Sequence, residues 1–418
     1  MDPQLKRWRW RVFAATYACY AGLYFCRKPF FVVKADLGNA LAFDSAMLGT
    51  IGAAYLISYA VGQFVFGYAG SRWGPRLVLL LGMAVSTVAS IAFGITDSFA
   101  TFLAFMVCNG LAQGTGWSGT VGTMGNWFHR QERGTVMGIW STNYAVGGVL
   151  GGGLAALLLG ALGYRYAFFG GSLVLTLVWV FFFFNQRNQP ADVGLEPVQE
   201  PREDPTAPPG ADEKADTGWT PQVITSVLLV GVFYFFVKFI RYALLSWAPY
   251  FLKLNFGLSG SNAGFLSIVF DVAGIAGVVA SGWISDRYFH SRRAKLSLLL
   301  IIGMLGACLL MATVGRSGVW LFSGSMALIG FTLFGPDALM SGTAAIDIGA
   351  KRAGLAAGII NGIGQIGAVV QELLIGSLYK RGGGRLGPIF VVLLVSAAFA
   401  VLVLGVILWR NARGDSDV

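Results

Sequence analysis

The chain is divided by the stretch QRNQPADVGLEPVQEPREDPTAPPGADEKADTGWTP, residues 186–221, which holds seven prolines and eight acidic residues. A segment of this composition does not bury enough apolar surface to offset the entropy of ordering, so we expect it to be flexible. On both sides the sequence is strongly apolar: 56% of the 418 residues are hydrophobic and only 12% are charged. We interpret residues 1–185 and 222–418 as two membrane-embedded halves that are joined by an acidic, Pro-rich linker.

Apolar runs long enough to cross about 30 Å of hydrocarbon as helices occur twelve times. They lie near residues 12–33, 47–69, 76–95, 98–122, 134–161, 164–185, 222–251, 260–284, 296–315, 318–347, 353–379 and 386–409. The first run is long and lacks an A-x-A-like cleavage site, which favours a retained helix over a signal peptide. The expected fold class is therefore an all-α membrane protein with twelve transmembrane helices, six in each half.

The distribution of positive charge predicts the orientation of these helices. With the N-terminus in the cytoplasm, 19 of the 30 Lys and Arg residues fall on the cytoplasmic side, 7 on the outer side and 4 within spans. The positive-inside rule then places both termini and the linker in the cytoplasm. Because the net charge of +10 follows this topology, it indicates no nucleic-acid partner.

The two halves repeat each other at a nearly constant offset. GYAGSR, residues 67–72, matches GWISDR, residues 282–287, and Arg133 matches Arg352. Arg27 in the first span matches Arg241 in the seventh. Two six-helix halves with pseudo-two-fold symmetry and this basic loop after the second span of each resemble the major facilitator superfamily, whose members bind substrate near the bilayer midplane between two repeats.

Arg27 and Arg241 are the charges that most strongly indicate a site. A basic side chain inside a span costs at least about 2.5–3.5 kcal/mol on insertion scales, although snorkelling to the interface is the alternative for Arg27 alone. The symmetry would bring both guanidinium groups to one central cavity, and their planar forks suit an anion with several oxygens. Closing the halves without a ligand would strip water from two unpaired charges, so an empty carrier should reorient rarely and transport should be obligate exchange.

Other charged and aromatic residues in the spans have further candidate roles. Lys28 lies about 100° around the helix from Arg27, and we expect it to pair with Asp271. Lys238 is expected to add a third cation beside Arg241. For Asp271, Asp337 and Glu372, an interhelical hydrogen bond and a direct substrate role are about equally supported. Candidate aromatic contacts to substrate are Tyr20 and Tyr24, which lie at i and i+4 on the Arg27 helix.

Several motifs give the chain a resemblance to a family. They are YACYAGLYFCRKPF (17–30), NGLAQGTGWSGTVGTMGNWF (109–128), PADVGL (190–195), IRYALLSWAPYFLK (240–253), GWISDR and FGPDALMSG (334–342). Together they resemble the organophosphate:phosphate antiporters of the major facilitator superfamily. The resemblance implies that Arg27 and Arg241 grip phosphate, that Tyr20 and Tyr24 flank it, and that Lys28 and Asp271 form an interhelical pair.

Positions that depart from the family pattern concern the organic part of the substrate. Gln63 replaces a common span-two lysine, and Tyr144 replaces the span-five histidine of glycerol-3-phosphate transporters. Glu372 stands where hexose-phosphate members have a lysine, while Ser71 and Ser246 replace two acids. We count Gln63, Trp117, Tyr144, Lys238 and Glu372 as candidate cavity residues.

The expected function is exchange of an organophosphate for inorganic phosphate by a functional monomer in a bacterial inner membrane. Alternatives are a sensor of external sugar phosphate and a proton-coupled organic-anion symporter. An enzyme is not expected, because the only histidines, His129 and His290, lie in loops and no nucleophile–base pair is evident. Neither a cofactor nor a metal site is expected, and the four cysteines lie inside spans without ligand spacing.

Overall fold

The computed structural model describes residues 3–128, 136–137, 139–196, 220–288, 293–338 and 353–413. His129, His290, Arg133, Arg352 and the last four residues of FGPDALMSG lie outside these ranges. The described part of the chain contains fourteen α-helices of 13 residues or more and no strand. They are α1 Pro3–Leu23, α2 Lys28–Leu41, α3 Ser45–Trp73, α4 Pro75–Ile95, α5 Phe99–Gln113, α6 Thr115–Trp127, α7 Asn143–Leu162, α8 Tyr164–Asn185, α9 Pro221–Phe256, α10 Gly260–Tyr288, α11 Arg293–Val314, α12 Val319–Ala338, α13 Ala353–Arg381 and α14 Gly387–Ala412.

Ten of these helices are long and apolar enough to cross a membrane, and they coincide with the predicted spans two, three and five to twelve. The first and fourth predicted spans are each divided into two shorter helices, so the expectation of one continuous helix over residues 12–33 is wrong. The first division is a 3-10 turn, Tyr24–Cys26, between α1 and α2, and the second lies at Gly114 between α5 and α6.

Proline chemistry explains the first division. Pro29 is the second residue of α2 and has no backbone N–H, and in a continuous helix its ring would clash with the carbonyl of Phe25. Two glycines of neighbouring helices lie close to the broken segment: a Cβ on Gly171 would be 2.0 Å from Phe25 O, and one on Gly151 would be 3.0 Å from Tyr24 O. At these two points α7 and α8 therefore present a glycine rather than a side chain to the break.

Close contacts group the chain into two units. The first comprises Met1–Asp44, Ala54–Glu203 and Gly257–Ile268, and the second comprises Ser45–Ala53, Asp204–Phe256 and Val269–Val418. Thus α3 contributes its first nine residues to the second unit, whereas α10 contributes its start to the first. The core of the first unit includes Tyr20, Leu23, Trp127, Trp140 and Phe182.

Residues 186–196, which the sequence assigned to a flexible linker, adopt a defined structure on the first unit. Gln186 is fully buried, and a short 3-10 turn follows at Pro190–Val193. Arg76 donates to the carbonyls of Phe183 and Gln186, while its backbone N–H donates to Asn188 Oδ1 at 2.8 Å. These contacts attach the end of α8 and the start of the linker to the start of α4.

Candidate anion-binding site

The break between α1 and α2 leaves backbone carbonyls that need partners. Two amide side chains of α5 supply them: Gln113 Nε2 donates to Leu23 O at 3.1 Å, and Asn109 Nδ2 donates to Cys26 O at 3.2 Å. Ser86 Oγ in turn donates to Asn109 Oδ1 at 2.5 Å. Asn109 and Gln113 are almost fully buried, so the break is held by a hydrogen-bonded network inside the unit.

The network positions Arg27, the N-cap residue of α2. Its Nε donates to Gln113 Oε1 at 2.8 Å, and Tyr55 donates its hydroxyl to the same oxygen at 3.0 Å. The guanidinium carbon lies 4.6 Å from the ring centre of Tyr24, 4.9 Å from that of Tyr59 and 6.0 Å from that of Tyr55. Such cation–π contacts favour a charged guanidinium without neutralising it.

Arg27 keeps donor capacity for a ligand. Its Nη2 is buried and has no hydrogen-bond partner, and no carboxylate contacts the guanidinium within the described ranges. A buried donor on a full positive charge is costly to leave unsatisfied. Arg27 is therefore a candidate anion-binding residue with aromatic side chains around it.

The remaining candidates in the first unit lie near Arg27 or in the adjoining core. Tyr20 is 5% exposed, and its ring centre is 6.0 Å from that of Tyr24 and 5.5 Å from that of Trp117. Tyr144 packs against the same apolar core. The backbone of Gln63 lies against the Gly114 junction. A role for any of them in contacting substrate remains a prediction.

Lys28 and Lys34, both on α2, are buried. The Cε atom of Lys28 lies 3.5 Å from where a Cβ on Gly148 would be, so the chain passes over a glycine of α7. The pairing of Lys28 with Asp271 remains a prediction. Lys34 follows the predicted first span, residues 12–33, and is fully buried on α2, where Nζ lies 5.4 Å from the ring centre of Phe30.

In the second unit, Arg241 on α9 forms an ion pair with Asp337 on α12. The Arg241 Nη1 donates to Asp337 Oδ2, and the guanidinium carbon lies 4.4 Å from the ring centre of Phe334. Asp337 is 6% exposed. Sequence analysis left the role of Asp337 open, and the structure assigns it an interhelical contact with the predicted phosphate-binding arginine.

Lys238 lies one helical turn before Arg241 and is bound by amides of α13. Its Nζ donates to Asn361 Oδ1 at 2.6 Å and to Gln365 Oε1 at 3.2 Å, and it lies 5.0 Å from the ring centre of Tyr234. Asn361 and Gln365 were not predicted as functional residues. Their i, i+4 spacing on one apolar helix was the signal that could have indicated a shared polar face.

Glu372, the last candidate, is fully buried on α13. A Cβ on Gly52 would lie 2.7 Å from its carboxylate, so the start of α3 packs directly on this side chain within the second unit. In the same contact, Ser45 Oγ donates to Gly376 O at 2.9 Å. A role for Glu372 in contacting substrate remains a prediction.

Comparison with known proteins identifies the class. The family model described as Major Facilitator Superfamily matches residues 16–372, so the chain belongs to this superfamily and is a transporter rather than an enzyme. A bacterial homolog to the human lysosomal transporter Spinster, solved in an inward-facing and unoccupied conformation, has the same fold, with a TM-score of 0.70, 16% identity and coverage of 97% of this chain and 96% of that one.

Curated relatives narrow the class further. The chain is 31% identical to "Glycerol-3-phosphate transporter" of Bacillus subtilis (strain 168) over 100% of its own length and 96% of the relative. It is 29% identical to "Probable hexose phosphate transport protein" of Chlamydia muridarum and 30% identical to "Sugar phosphate exchanger 3" of Gallus gallus, each over 96% of this chain and 92% of the relative. These relatives confirm the resemblance to the organophosphate:phosphate antiporter family.

Proposed function

We propose that the protein is a secondary transporter that exchanges an organophosphate, of the sugar phosphate or glycerol phosphate type, for inorganic phosphate. Arg27 is the observation that carries this proposal. Arg27 is a permanently charged, half-buried residue whose buried Nη2 donor has no hydrogen-bond partner, and no acid contacts it in the described ranges. The names of the curated relatives support an organophosphate as the substrate class.

We further propose that Arg27 and Arg241 bind the phosphoryl group of one substrate molecule. Phosphate monoesters carry between one and two negative charges near pH 7, and a guanidinium group binds phosphate oxygens through two parallel hydrogen bonds. Tyr24, Tyr55 and Tyr59 then surround the phosphoryl group on the side of the first unit. Rocker-switch motion of two halves provides the alternating access.

The finer architecture belongs to the same proposal. It comprises twelve spans, halves at residues 1–185 and 222–418 related by pseudo-two-fold symmetry, a cytoplasmic linker at residues 186–221, and both termini in the cytoplasm. The first span crosses as α1 plus α2 and the fourth as α5 plus α6. The protein acts as a monomer in the plasma membrane of a bacterium, which the bacterial relatives support.

The ion pair of Arg241 changes the expected cost of reorienting the empty carrier. The premise that both arginines lack a fixed counter-charge is wrong for Arg241, which pairs with Asp337. Of the two arginines, only Arg27 then has an uncompensated charge, and closing the halves without a ligand would remove water from it. That cost amounts to several kcal/mol per ion even after relaxation, so exchange is still expected to exceed net transport.

The test is uptake of labelled phosphate into proteoliposomes that are loaded with phosphate or left empty. We expect uptake into loaded vesicles and little into empty ones. Arg27→Lys and Arg241→Lys should each reduce exchange by tenfold or more, because lysine keeps the charge and loses the fork. Arg11→Lys is the matched control, since Arg11 also bonds a side-chain amide, Asn185, and stacks on an aromatic ring, but it lies in the first half of α1, 16 positions before Arg27.

The other outcomes separate the alternatives. Equal uptake into loaded and empty vesicles would contradict obligate exchange, and uptake driven by a pH gradient would support the proton-coupled symporter. Binding of organophosphate without any transport would support the sensor. Near-normal exchange by Arg27→Lys would remove Arg27 from the site.

A further inference from the structure

The ion pair between Arg241 and Asp337 occupies the same guanidinium group that the proposed function assigns to phosphate. Arg241 Nη1 donates to Asp337 Oδ2, and Asp337 is 6% exposed. The second carboxylate oxygen, Oδ1, is buried and has no hydrogen-bond partner in the described ranges. The carboxylate is thus bound through one oxygen, and its other oxygen lacks a hydrogen bond.

A carboxylate and a phosphate present similar oxygens to a guanidinium fork. Both would bind the same guanidinium, and two anions held together in a low-dielectric interior repel each other. Resting on the proposed function, we infer that Asp337 is an internal competitor for the substrate: its carboxylate occupies Arg241 and is displaced when the phosphoryl group binds. Asp337 thereby sets the affinity of the site and is a residue that determines specificity.

Lys238 gives the displaced carboxylate a second cation. It lies at i−3 from Arg241, on the same face of α9, and electrostatic interactions couple it to both Asp337 and Arg241. It donates hydrogen bonds to Asn361 and Gln365, which are neutral amides. An exchange of partners from Arg241 to Lys238 keeps Asp337 paired while the guanidinium binds phosphate.

The charges of the two clusters agree with this assignment. Lys238, Arg241 and Asp337 sum to +1, and Arg27 adds +1 from the first unit. The total of +2 matches a phosphate dianion, whereas the same cations without Asp337 would sum to +3. The expected third cation at Lys238 is therefore present, but its charge is offset by Asp337.

The experiment compares wild-type protein, Asp337→Asn and a matched control, using inorganic phosphate as the only ligand. The control is Asp97→Asn, which breaks the Arg165–Asp97 pair of 2.6 Å on the surface, where the side chains are 40% and 64% exposed. Two readouts are taken: the phosphate concentration that half-saturates phosphate:phosphate exchange in proteoliposomes, and thermal stabilisation of purified protein by phosphate. Asp337→Ser replaces the Asn variant if the latter does not fold.

We expect Asp337→Asn to lower both the half-saturating phosphate concentration and the phosphate concentration needed for thermal stabilisation by about tenfold. A change of this size corresponds to the lower end of the coupling energies of close charge pairs. Asp97→Asn should change neither value. Asp337→Glu, which retains a carboxylate, should not tighten phosphate binding. Unchanged or weaker phosphate binding in the neutral variants would overturn the inference.

The two readouts distinguish this inference from the proposed function. Wild-type exchange combined with unimproved binding in Asp337→Asn overturns only the inference. Tighter phosphate stabilisation in Asp337→Asn without exchange by any variant overturns only the proposed function. The absence of phosphate binding in all variants overturns both.

Discussion

Arg27 and Lys28 are adjacent in sequence but have different surroundings. Arg27 lies among tyrosine rings and donates to Gln113, while Lys28 is buried and passes over Gly148. The roughly 100° between consecutive helical side chains accounts for this separation. One basic residue is thus placed for a ligand, and the other remains predicted to pair with Asp271.

Gln113 offers a test of the asymmetry between the two arginines, because Arg27 bonds an amide where Arg241 bonds a carboxylate. Gln113→Glu is nearly isosteric and gives Arg27 an acidic partner, but it also removes the Nε2 donor to Leu23 O, so the temperature of thermal unfolding is measured as a control. We expect the half-saturating phosphate concentration to rise at least about tenfold, since the new carboxylate competes for the guanidinium as a close charge pair. This concentration is measured by titrating phosphate in the proteoliposome exchange assay.

The double variant Gln113→Glu with Asp337→Asn controls for net charge. It moves the acid from one unit to the other, so the summed charge of the clusters returns to +2. Partial recovery of phosphate affinity is expected. If the single variant binds phosphate as tightly as wild type, then the neutral character of the Arg27 surroundings has no effect on affinity.

Sequence alone indicated Arg27, Arg241 and Lys238 as candidates, because a charge within an apolar span is conspicuous and costly. It did not indicate Asn109 and Gln113, since neutral amides in a span carry no such cost and their use depends on a helix break. The partner of Asp337 was also hidden. Arg241 and Asp337 are 96 positions apart, and only the packing of α9 on α12 brings them together.

At the scale of elements, the broken first span is the feature that positions the site. The apolar pattern of residues 12–33 predicted one helix, and Pro29 was the signal that should have indicated its interruption. The 3-10 turn at Tyr24–Cys26 frees carbonyls, recruits Asn109 and Gln113, and makes Arg27 an N-cap residue. In a straight helix these carbonyls would accept hydrogen bonds from backbone N–H groups, and the two amides would have no free carbonyl to bind.

Gly171→Ala should disturb this break. A Cβ at this position would lie 2.0 Å from Phe25 O, which is backbone and cannot rotate away. Overpacking of this kind typically costs about 1–3 kcal/mol of stability, so we expect a lower temperature of thermal unfolding in detergent and weaker phosphate exchange. Gly122→Ala is the control, because no atom lies within 4 Å of its Cβ. Equal stability of the two variants would show that the break tolerates a side chain.

At the scale of the whole molecule, the family and its helical fold follow from the sequence pattern, whereas the boundaries of the contact units do not. Residues 45–53 of α3 and 260–268 of α10 are separated by 215 positions, the offset between GYAGSR and GWISDR. Hydropathy gives the length of a helix but not its neighbours. The same holds for residues 186–196, whose composition indicates a linker although Arg76 and Asn188 attach them to the first unit.

The aromatic side chains beside Arg27 give the protein an optical reporter of its own. Ring contacts run from Tyr24 to Tyr20, then to Trp117 at 5.5 Å and on to Trp140 at 5.8 Å. Indole emission responds to nearby charge, so phosphate at Arg27 should alter the tryptophan fluorescence of unlabelled protein in a saturable way. Trp117→Phe should diminish this signal, whereas Trp409→Phe, at an exposed position of α14, should preserve it. An emission spectrum that is unaffected by saturating phosphate would place the anion elsewhere, and a responsive one would let binding be followed in milliseconds by stopped flow.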